Sequence, residues 1–187
     1  PRCCSSAASD VYKRQASNMN DVLTRFIASG SLEPKETMPT VAPSMDIQIP
    51  SSLERLIYDL EGDTSSFYNQ LQNEKVATLS EDATKKLQSI FSSKSFDDEM
   101  ILKEIKDFNK NYDWIVDPHT ATAVSEKVTF ASNLPVVGVA TASPEKFSNV
   151  ISSVISSFSV KNSENTEDYI VCRSDSSTVE NTIKEYF

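Results

Sequence analysis

The chain has 187 residues, of which 39% are hydrophobic and 24% charged, the composition of an ordinary globular protein. Its net charge of −9 argues against binding to phosphate backbones, and no apolar run approaches the roughly 20 residues of a membrane-spanning helix. We therefore expect no nucleic-acid or membrane partner. Three separated glycines and one histidine, His119, exclude a glycine-rich phosphate loop and every metal motif that needs two histidines.

The first residues, 1–15, have no helical or strand period and no apolar segment like that of a signal peptide. They resemble translated sequencing-adapter DNA, and we interpret them as a non-native leader. The adjacent Cys3 and Cys4 are candidates for a metal or redox site, but no second ligand pair accompanies them. Without the leader, Cys172 is the only cysteine and has no partner for an internal disulfide, which fits a reducing, cytoplasmic location.

The first predicted helix follows the end of a truncated strand. Its apolar face lies within 22–27, Asn20 or Asp21 caps its start, and Gly30 ends it. The stretch 33–50 contains prolines without long polar runs, and it is predicted to be an ordered, extended loop.

A second helix is predicted to end at Gly62, and the segment 63–112 is predicted to be wholly helical. Ser80 is the predicted N-cap of one helix in this segment, and Asp97 or Asp98 opens another. The many charges on these helices indicate solvated outer faces rather than a functional patch.

The clearest strand signal is the apolar run 135–140 (PVVGVA), which is typical of a strand buried on both faces of a parallel sheet. A small apolar helix is predicted before it, at 120–128, and Pro144 begins a helix after it. Ligands of open α/β sheets bind at the carboxyl ends of strands. Two places meet this condition, one around Asn18 and one at Thr141.

These patterns predict an α/β protein with an inserted helical part. Its expected divisions are a leader at 1–15, part of an α/β domain at 16–62, a helical subdomain at 63–112, a return to the α/β domain at 113–160, and a tail at 161–187. The tail contains one apolar patch at 169–172 and a last predicted helix at 177–186.

Four segments carry recognisable patterns: ASNMNDVLTRFIASG at 16–30, TVAPSMDIQIPSSLERL at 40–56, WIVDPHTATAV at 114–124 and VATASPEKFSNVI at 139–151. In order and spacing they resemble the C-terminal third of the monofunctional threonine synthases of the fungal and bacterial type. Two departures stand out. Ser143 occupies a position where that family usually has histidine, and Ser17 one where it has threonine.

The resemblance implies the C-terminal part of a fold-type II enzyme that uses pyridoxal 5'-phosphate (PLP), with a truncated parallel-sheet domain and a helical subdomain. Such enzymes convert O-phosphohomoserine and water to L-threonine and phosphate. In that family the Schiff-base lysine and the phosphate loop would lie upstream of residue 16. No lysine here, including Lys146, is therefore assigned as catalytic, and we expect this chain to be inactive alone.

The resemblance also implies a cofactor-binding residue. Thr141 matches the position whose hydroxyl faces the pyridine nitrogen of PLP, although a turn or capping role is the other interpretation. Candidates for the active-site wall are Asp117, His119, Asn18, Asn20, Asp21, Ser44 and Asp46. Each of these also has a structural interpretation, as a helix cap or as part of an ordered loop. Arg25 is a candidate for the substrate phosphate or for an ordinary ion pair.

Two other functions remain open. The chain is alternatively part of a related, threonine-synthase-like PLP phospholyase, which the segment upstream would distinguish. A non-catalytic interaction module built from the helices of 63–112 is the third hypothesis, and the four segments, which lie outside that region, argue against it.

Overall fold

The computed structural model describes residues 13–125 and 136–159, with a few positions between 177 and 184. Within these residues, no helix is long and apolar enough to cross a membrane. The strands are β1 (Lys13–Ser17), β2 (Ser31–Leu32), β3 (Ala77–Thr78) and β4 (Phe91–Ser95). The helices are α1 (Val22–Ser29), α2 (Leu53–Glu61), α3 (Ser65–Glu74), α4 (Glu81–Ile90), α5 (Asp98–Tyr112), α6 (Pro118–Val124) and α7 (Ser148–Val154), with 3₁₀ turns at Pro43–Met45 and Pro144–Phe147.

The strands form two small sheets. β1 and β4 are parallel, with Gln15 opposite Ser93 and Ser17 opposite Ser95, while β2 and β3 are antiparallel. A parallel pair in a chain rich in helices makes this a mixed α/β fold. β1 includes Lys13–Gln15, the end of the predicted leader, and the non-native origin of that leader stays a prediction.

The segment 63–112 is not wholly helical, so that prediction was wrong. β3 and β4 interrupt it between the helices. The sequence of β4, FSSKS, has no apolar alternation, and its strand conformation comes from pairing with β1, far away in the chain. The predicted caps are confirmed: the Ser80 side chain accepts a hydrogen bond from Ala83 N, and the Asp97 side chain accepts one from Met100 N.

Glycine ends the first two helices as predicted. Gly30 and Gly62 take left-handed conformations with φ of 74° and 78° directly after α1 and α2. Asp21 occupies one of the two predicted N-cap positions of α1, and Ser52 is the N-cap of α2, but neither side chain makes a capping hydrogen bond. The Asp21 carboxylate instead accepts from Arg25 one turn further along.

The prediction of a buried strand at 135–140 was wrong for the residues that the structure describes there, 136–140. They form no strand, and Val136, Val137 and Val139 are 40%, 84% and 69% exposed. An apolar run becomes a buried strand only where neighbouring strands take up its backbone hydrogen bonds. β1 and β4 pair with each other and do not provide them.

The second half of the chain is otherwise close to prediction. α6 begins at Pro118, two positions before the predicted start, and residues 126–128 lie outside the described part. Pro144 begins a 3₁₀ turn that continues directly as α7. The apolar patch at 169–172 lies outside the described residues, as does much of the last predicted helix.

Two apolar cores support these elements. The first joins α1 through α4, and the second joins α5, α6, α7 and the loop after β2. Each core combines residues from both sides of a predicted boundary, at 62 or at 112, and the division into subdomains stays a prediction. The second core underlies the candidate site, and its buried members are Ala42, Phe96, Ile101, Ile105, Val116, Ala121, Ile151 and Ile155.

Candidate functional site

Two asparagines and an aspartate meet where the chain leaves β1. Asn18 is fully buried, and its amide Nδ2 lies 2.6 Å from Asp46 Oδ1 and 3.2 Å from the carbonyl oxygen of Ala42. Asn20 Nδ2 donates to the same Asp46 oxygen at 3.0 Å and to the carbonyl of Met38 at 2.8 Å. Three of the predicted site residues are therefore in direct contact.

Thr40 completes this cluster and was missed in the sequence. Its hydroxyl lies 2.7 Å from Asn18 Nδ2 and 2.8 Å from Asp46 Oδ1, and its backbone amide donates to Asp46 Oδ2 at 3.0 Å. Thr40 is the first residue of the second resembling segment, which was the available signal. Its contacts form because the loop after β2 folds back onto Asn18, and the spacing of residues in the sequence does not predict that path.

A second cluster lies at the start of α6. Asp117 is fully buried and is the N-cap, and its Oδ1 accepts from the backbone amide of His119 at 2.9 Å. Oδ1 is also 2.8 Å from His119 Nδ1, and Oδ2 accepts from the Thr120 hydroxyl. The capping interpretation of Asp117 is thus confirmed, while its place on an active-site wall stays a prediction.

His119 connects α6 to two other segments. The backbone amide of Ser44 donates to His119 Nε2 at 3.1 Å, and the Phe147 ring lies 4.7 Å from the imidazole, centroid to centroid. The Ser44 side chain itself is exposed. A cavity of about 210 Å³ lies beside these contacts, and Thr40, Val41, Pro43, Lys146, Phe147, Ser148, Asn149 and Val150 line it.

The electrostatics of Asp117 follow from its partners. Burial raises the pKa of its carboxyl group, but hydrogen bonds from the side chains of His119 and Thr120 and from the His119 amide outweigh burial. The pKa of Asp117 is therefore lowered from its ordinary value of 3.8. The carboxylate is ionised at neutral pH, where it serves as a hydrogen-bond acceptor.

Asp21 and Arg25 belong to the surface rather than to either cluster. Arg25 Nε binds Asp21 Oδ1 at 2.9 Å, and its guanidinium also lies 3.5 Å from Glu33 Oε2. The structure thus favours the ion-pair interpretation of Arg25. Of the candidate residues, Asp21 contacts Arg25 and belongs neither to the cluster around Asn18 nor to the cluster around Asp117.

Thr141 is exposed and precedes the 3₁₀ turn that carries Lys146 and Phe147. Among the described residues, no buried side-chain nitrogen or oxygen lacks a hydrogen-bond partner, so Asn18, Asn20 and His119 have no unmet polar group aimed at a ligand. The role of Thr141 in binding a cofactor stays a prediction.

The chain has relatives of known name, although no family model matches it. It is 31% identical to threonine synthase from Pseudomonas aeruginosa over 143 residues, 73% of this chain and 30% of that protein. It is 30% identical to threonine synthase-like 2 from Xenopus laevis over 141 residues, 72% of this chain and 30% of that protein. PLP-bound threonine synthase from Brucella melitensis matches it structurally with a TM-score of 0.72 at 30% identity, covering 76% of this chain and 32% of that one.

The chain spans 30% to 32% of the length of these relatives. The structural match places its mixed α/β fold, with the small parallel sheet of β1 and β4, within the architecture of fold-type II PLP enzymes. The resemblance recognised in four segments of the sequence is confirmed: over the part that it matches, this chain is a relative of the threonine synthases.

Proposed function

We propose that this chain supplies part of a PLP-dependent lyase that converts O-phosphohomoserine and water to L-threonine and phosphate. The observation that carries the proposal is the agreement of sequence and fold with threonine synthases, at 31% identity and a TM-score of 0.72. PLP, when bound, supplies the electron sink that such a reaction needs. We propose a cytoplasmic location for the enzyme.

The contacts of the described residues support two different roles, one structural and one in binding the cofactor. Asn18, Asn20 and Asp46 bind one another and the backbone, which supports a role in holding the loop in place. Asp117 binds His119 and Thr120, which supports a role in holding α6. Thr141 is exposed, which leaves its hydroxyl available to a cofactor bound chiefly by residues outside this chain. We propose that the Schiff-base lysine and the phosphate loop belong to that other part, and that this chain alone is inactive.

A threonine-synthase-like phospholyase is the second candidate. The relation to threonine synthase-like 2, 30% identical over 141 residues, favours it nearly as strongly as the relation to threonine synthase itself. Both candidates release phosphate from a phosphorylated amino acid, and they differ in whether threonine is formed.

The test is to express the longest open reading frame that contains this chain, with PLP, and to measure phosphate and threonine released from O-phosphohomoserine. The 187-residue chain is the matched control. Equal amounts of both products from the longer protein, and neither from the control, are expected. Phosphate without threonine would favour the phospholyase, and the absence of both products would overturn both candidates.

The cofactor role of Thr141 has its own test in the same protein. Thr141→Val removes the hydroxyl with little change of shape, and Thr141→Ser keeps it. We expect the valine variant to shift the absorption band of bound PLP and to lower kcat, and the serine variant to do neither. Equal behaviour of the two variants would assign Thr141 to the turn.

A further inference from the structure

Both ring nitrogens of His119 have hydrogen-bond partners, and the partners determine where its proton lies. The backbone amide of Ser44 points at Nε2, with the two nitrogens 3.1 Å apart. A backbone amide only donates, so Nε2 is the acceptor and carries no proton. The proton of the neutral ring is then on Nδ1, which donates to Asp117 Oδ1 at 2.8 Å.

The ring contacts two segments that line the cavity, although His119 itself does not line it. On one side its Nε2 holds the amide of Ser44, in the Pro43–Met45 turn, and Pro43 lines the cavity. On the other side the Phe147 ring packs against it at 4.7 Å, and Phe147 also lines the cavity. The imidazole therefore contacts both the Pro43–Met45 turn and Phe147.

Asp117 fixes the imidazole in turn. The His119 backbone amide and the Thr120 hydroxyl anchor its carboxylate to the first turn of α6. The side chains of Asp117 and His119 are only 0% and 7% exposed, so water does not compete for these hydrogen bonds.

We propose that Asp117 and His119 are positioning residues that hold the Pro43–Met45 turn against α6, with His119 fixed as the neutral tautomer protonated at Nδ1. In this arrangement neither ring nitrogen is free to exchange a proton with a substrate. The tautomer and the contact with Ser44 are properties of this fold. Their bearing on catalysis rests on the proposed function.

The tautomer can be measured directly, since His119 is the sole histidine of the chain. Long-range ¹H–¹⁵N correlation NMR on the ¹⁵N-labelled 187-residue protein at neutral pH distinguishes a protonated ring nitrogen from a bare one. We expect Nδ1 to be protonated and Nε2 to be bare. A proton on Nε2, or the averaged signals of a ring that exchanges between tautomers, would overturn the proposal.

Two substitutions separate the two contacts of the ring. In His119→Gln the side-chain carbonyl reaches the Nε2 position and can accept from Ser44, whereas in His119→Asn the shorter amide keeps the contact with Asp117 and loses Ser44. We expect hydrogen exchange at the Ser44 amide to be unchanged in the glutamine variant and about threefold to tenfold faster in the asparagine variant. The Ile101 amide reports whether each variant is folded, and equal exchange at Ser44 in the two folded variants would refute the contact.

Steady-state kinetics of the longer, active protein test whether the contacts of His119 affect catalysis. A positioning role predicts that His119→Gln keeps the pH profile of the wild type and loses less activity than His119→Asn, and that His119→Asn raises KM more than it lowers kcat. A general acid or base would lose about 100-fold or more in kcat in both variants, which would overturn the positioning role. An inactive wild-type protein with the expected tautomer would refute the proposed function and leave the structural inference standing.

Discussion

Asp46 Oδ1 accepts a hydrogen bond from Asn18 Nδ2 at 2.6 Å, although 28 residues separate the two in the chain. The same carboxylate accepts from Asn20 and from both the hydroxyl and the amide of Thr40. One side chain thus fastens the long loop before α2 to the segment that leaves β1. Ser44 lies in the same loop, and its amide contacts His119. The attachment through Asp46 therefore also helps to position this contact.

Replacing Asp46 with asparagine should release that attachment. The new NH₂ group faces donors, and hydrogen bonds to a charged acceptor contribute about 1.5–3 kcal/mol each. We expect the free energy of unfolding, from urea denaturation, to fall by about 3 kcal/mol. Asp59→Asn is the matched control, because the Asp59 side chain is exposed, and it should change stability by less than about 0.5 kcal/mol. Equal losses of unfolding free energy in the two variants would show that Asp46 does not fasten the loop.

The features that were predicted correctly are those whose interactions are complete within one turn of chain. Ser80, Asp97 and Asp117 cap helices by binding amides only two or three residues ahead, and Gly30 ends α1 by its own backbone conformation. Such signals are present in a short window of sequence, so they need no knowledge of the fold.

The features that were missed depend on residues far apart in the chain. β4 is a strand because it pairs with β1, and Thr40 belongs to the site because the loop turns back onto Asn18. The prediction of a buried strand at 136–140 was wrong for the converse reason. A buried strand needs neighbouring strands, and the described residues do not provide them there. The contact between His119 and Ser44, 75 residues apart, carries no sequence signal beyond the presence of both motifs.

Asp117 should make stability depend on pH in the acid range. Its folded-state pKa is lowered from 3.8 because hydrogen bonds from His119 and Thr120 outweigh burial. The carboxylate therefore stabilises the fold above the unfolded pKa, and this contribution is lost as pH falls through the lower folded value. Asp117→Asn keeps a capping group but cannot ionise.

Urea denaturation between pH 6 and pH 3 would check this linkage. We expect wild type to be more stable than Asp117→Asn at pH 6, with a difference that remains down to about pH 4 and then shrinks. A difference that is the same at every pH would show that the carboxylate does not titrate with folding.

Lys75 ends α3 in a left-handed conformation, with φ of 63°. For a residue with a Cβ, this conformation destabilises the folded state by roughly 1–2 kcal/mol. Glycine avoids that strain but loses more backbone entropy on folding, which offsets part of the gain. Lys75→Gly should therefore raise the free energy of unfolding by about 0.5 kcal/mol in urea denaturation. Lys85→Gly, inside α4, is the control and should lower it by about 1 kcal/mol. A loss of stability in both variants would argue against strain at Lys75.

Gly30 and Gly62 allow backbone strain to be separated from a steric clash. Both have positive φ, but a Cβ on Gly30 would lie 2.2 Å from Thr84 Oγ1, while a Cβ on Gly62 would meet nothing within 4 Å. We expect Gly62→Ala to lower the free energy of unfolding by about 1 kcal/mol, from strain alone. Gly30→Ala should cost about 3 kcal/mol, because the clash adds to the strain.

A double substitution tests whether Thr84 causes the additional loss. Thr84→Ala removes the two atoms nearest to the new Cβ and leaves the Thr84 Cβ at 3.1 Å. Gly30→Ala with Thr84→Ala should therefore be more stable than Gly30→Ala alone, with a loss close to that of Gly62→Ala. The coupling energy from this double-mutant cycle should be about 1–2 kcal/mol. Additive losses would mean that the chain relieves the clash by moving the backbone after α1 rather than the Thr84 side chain.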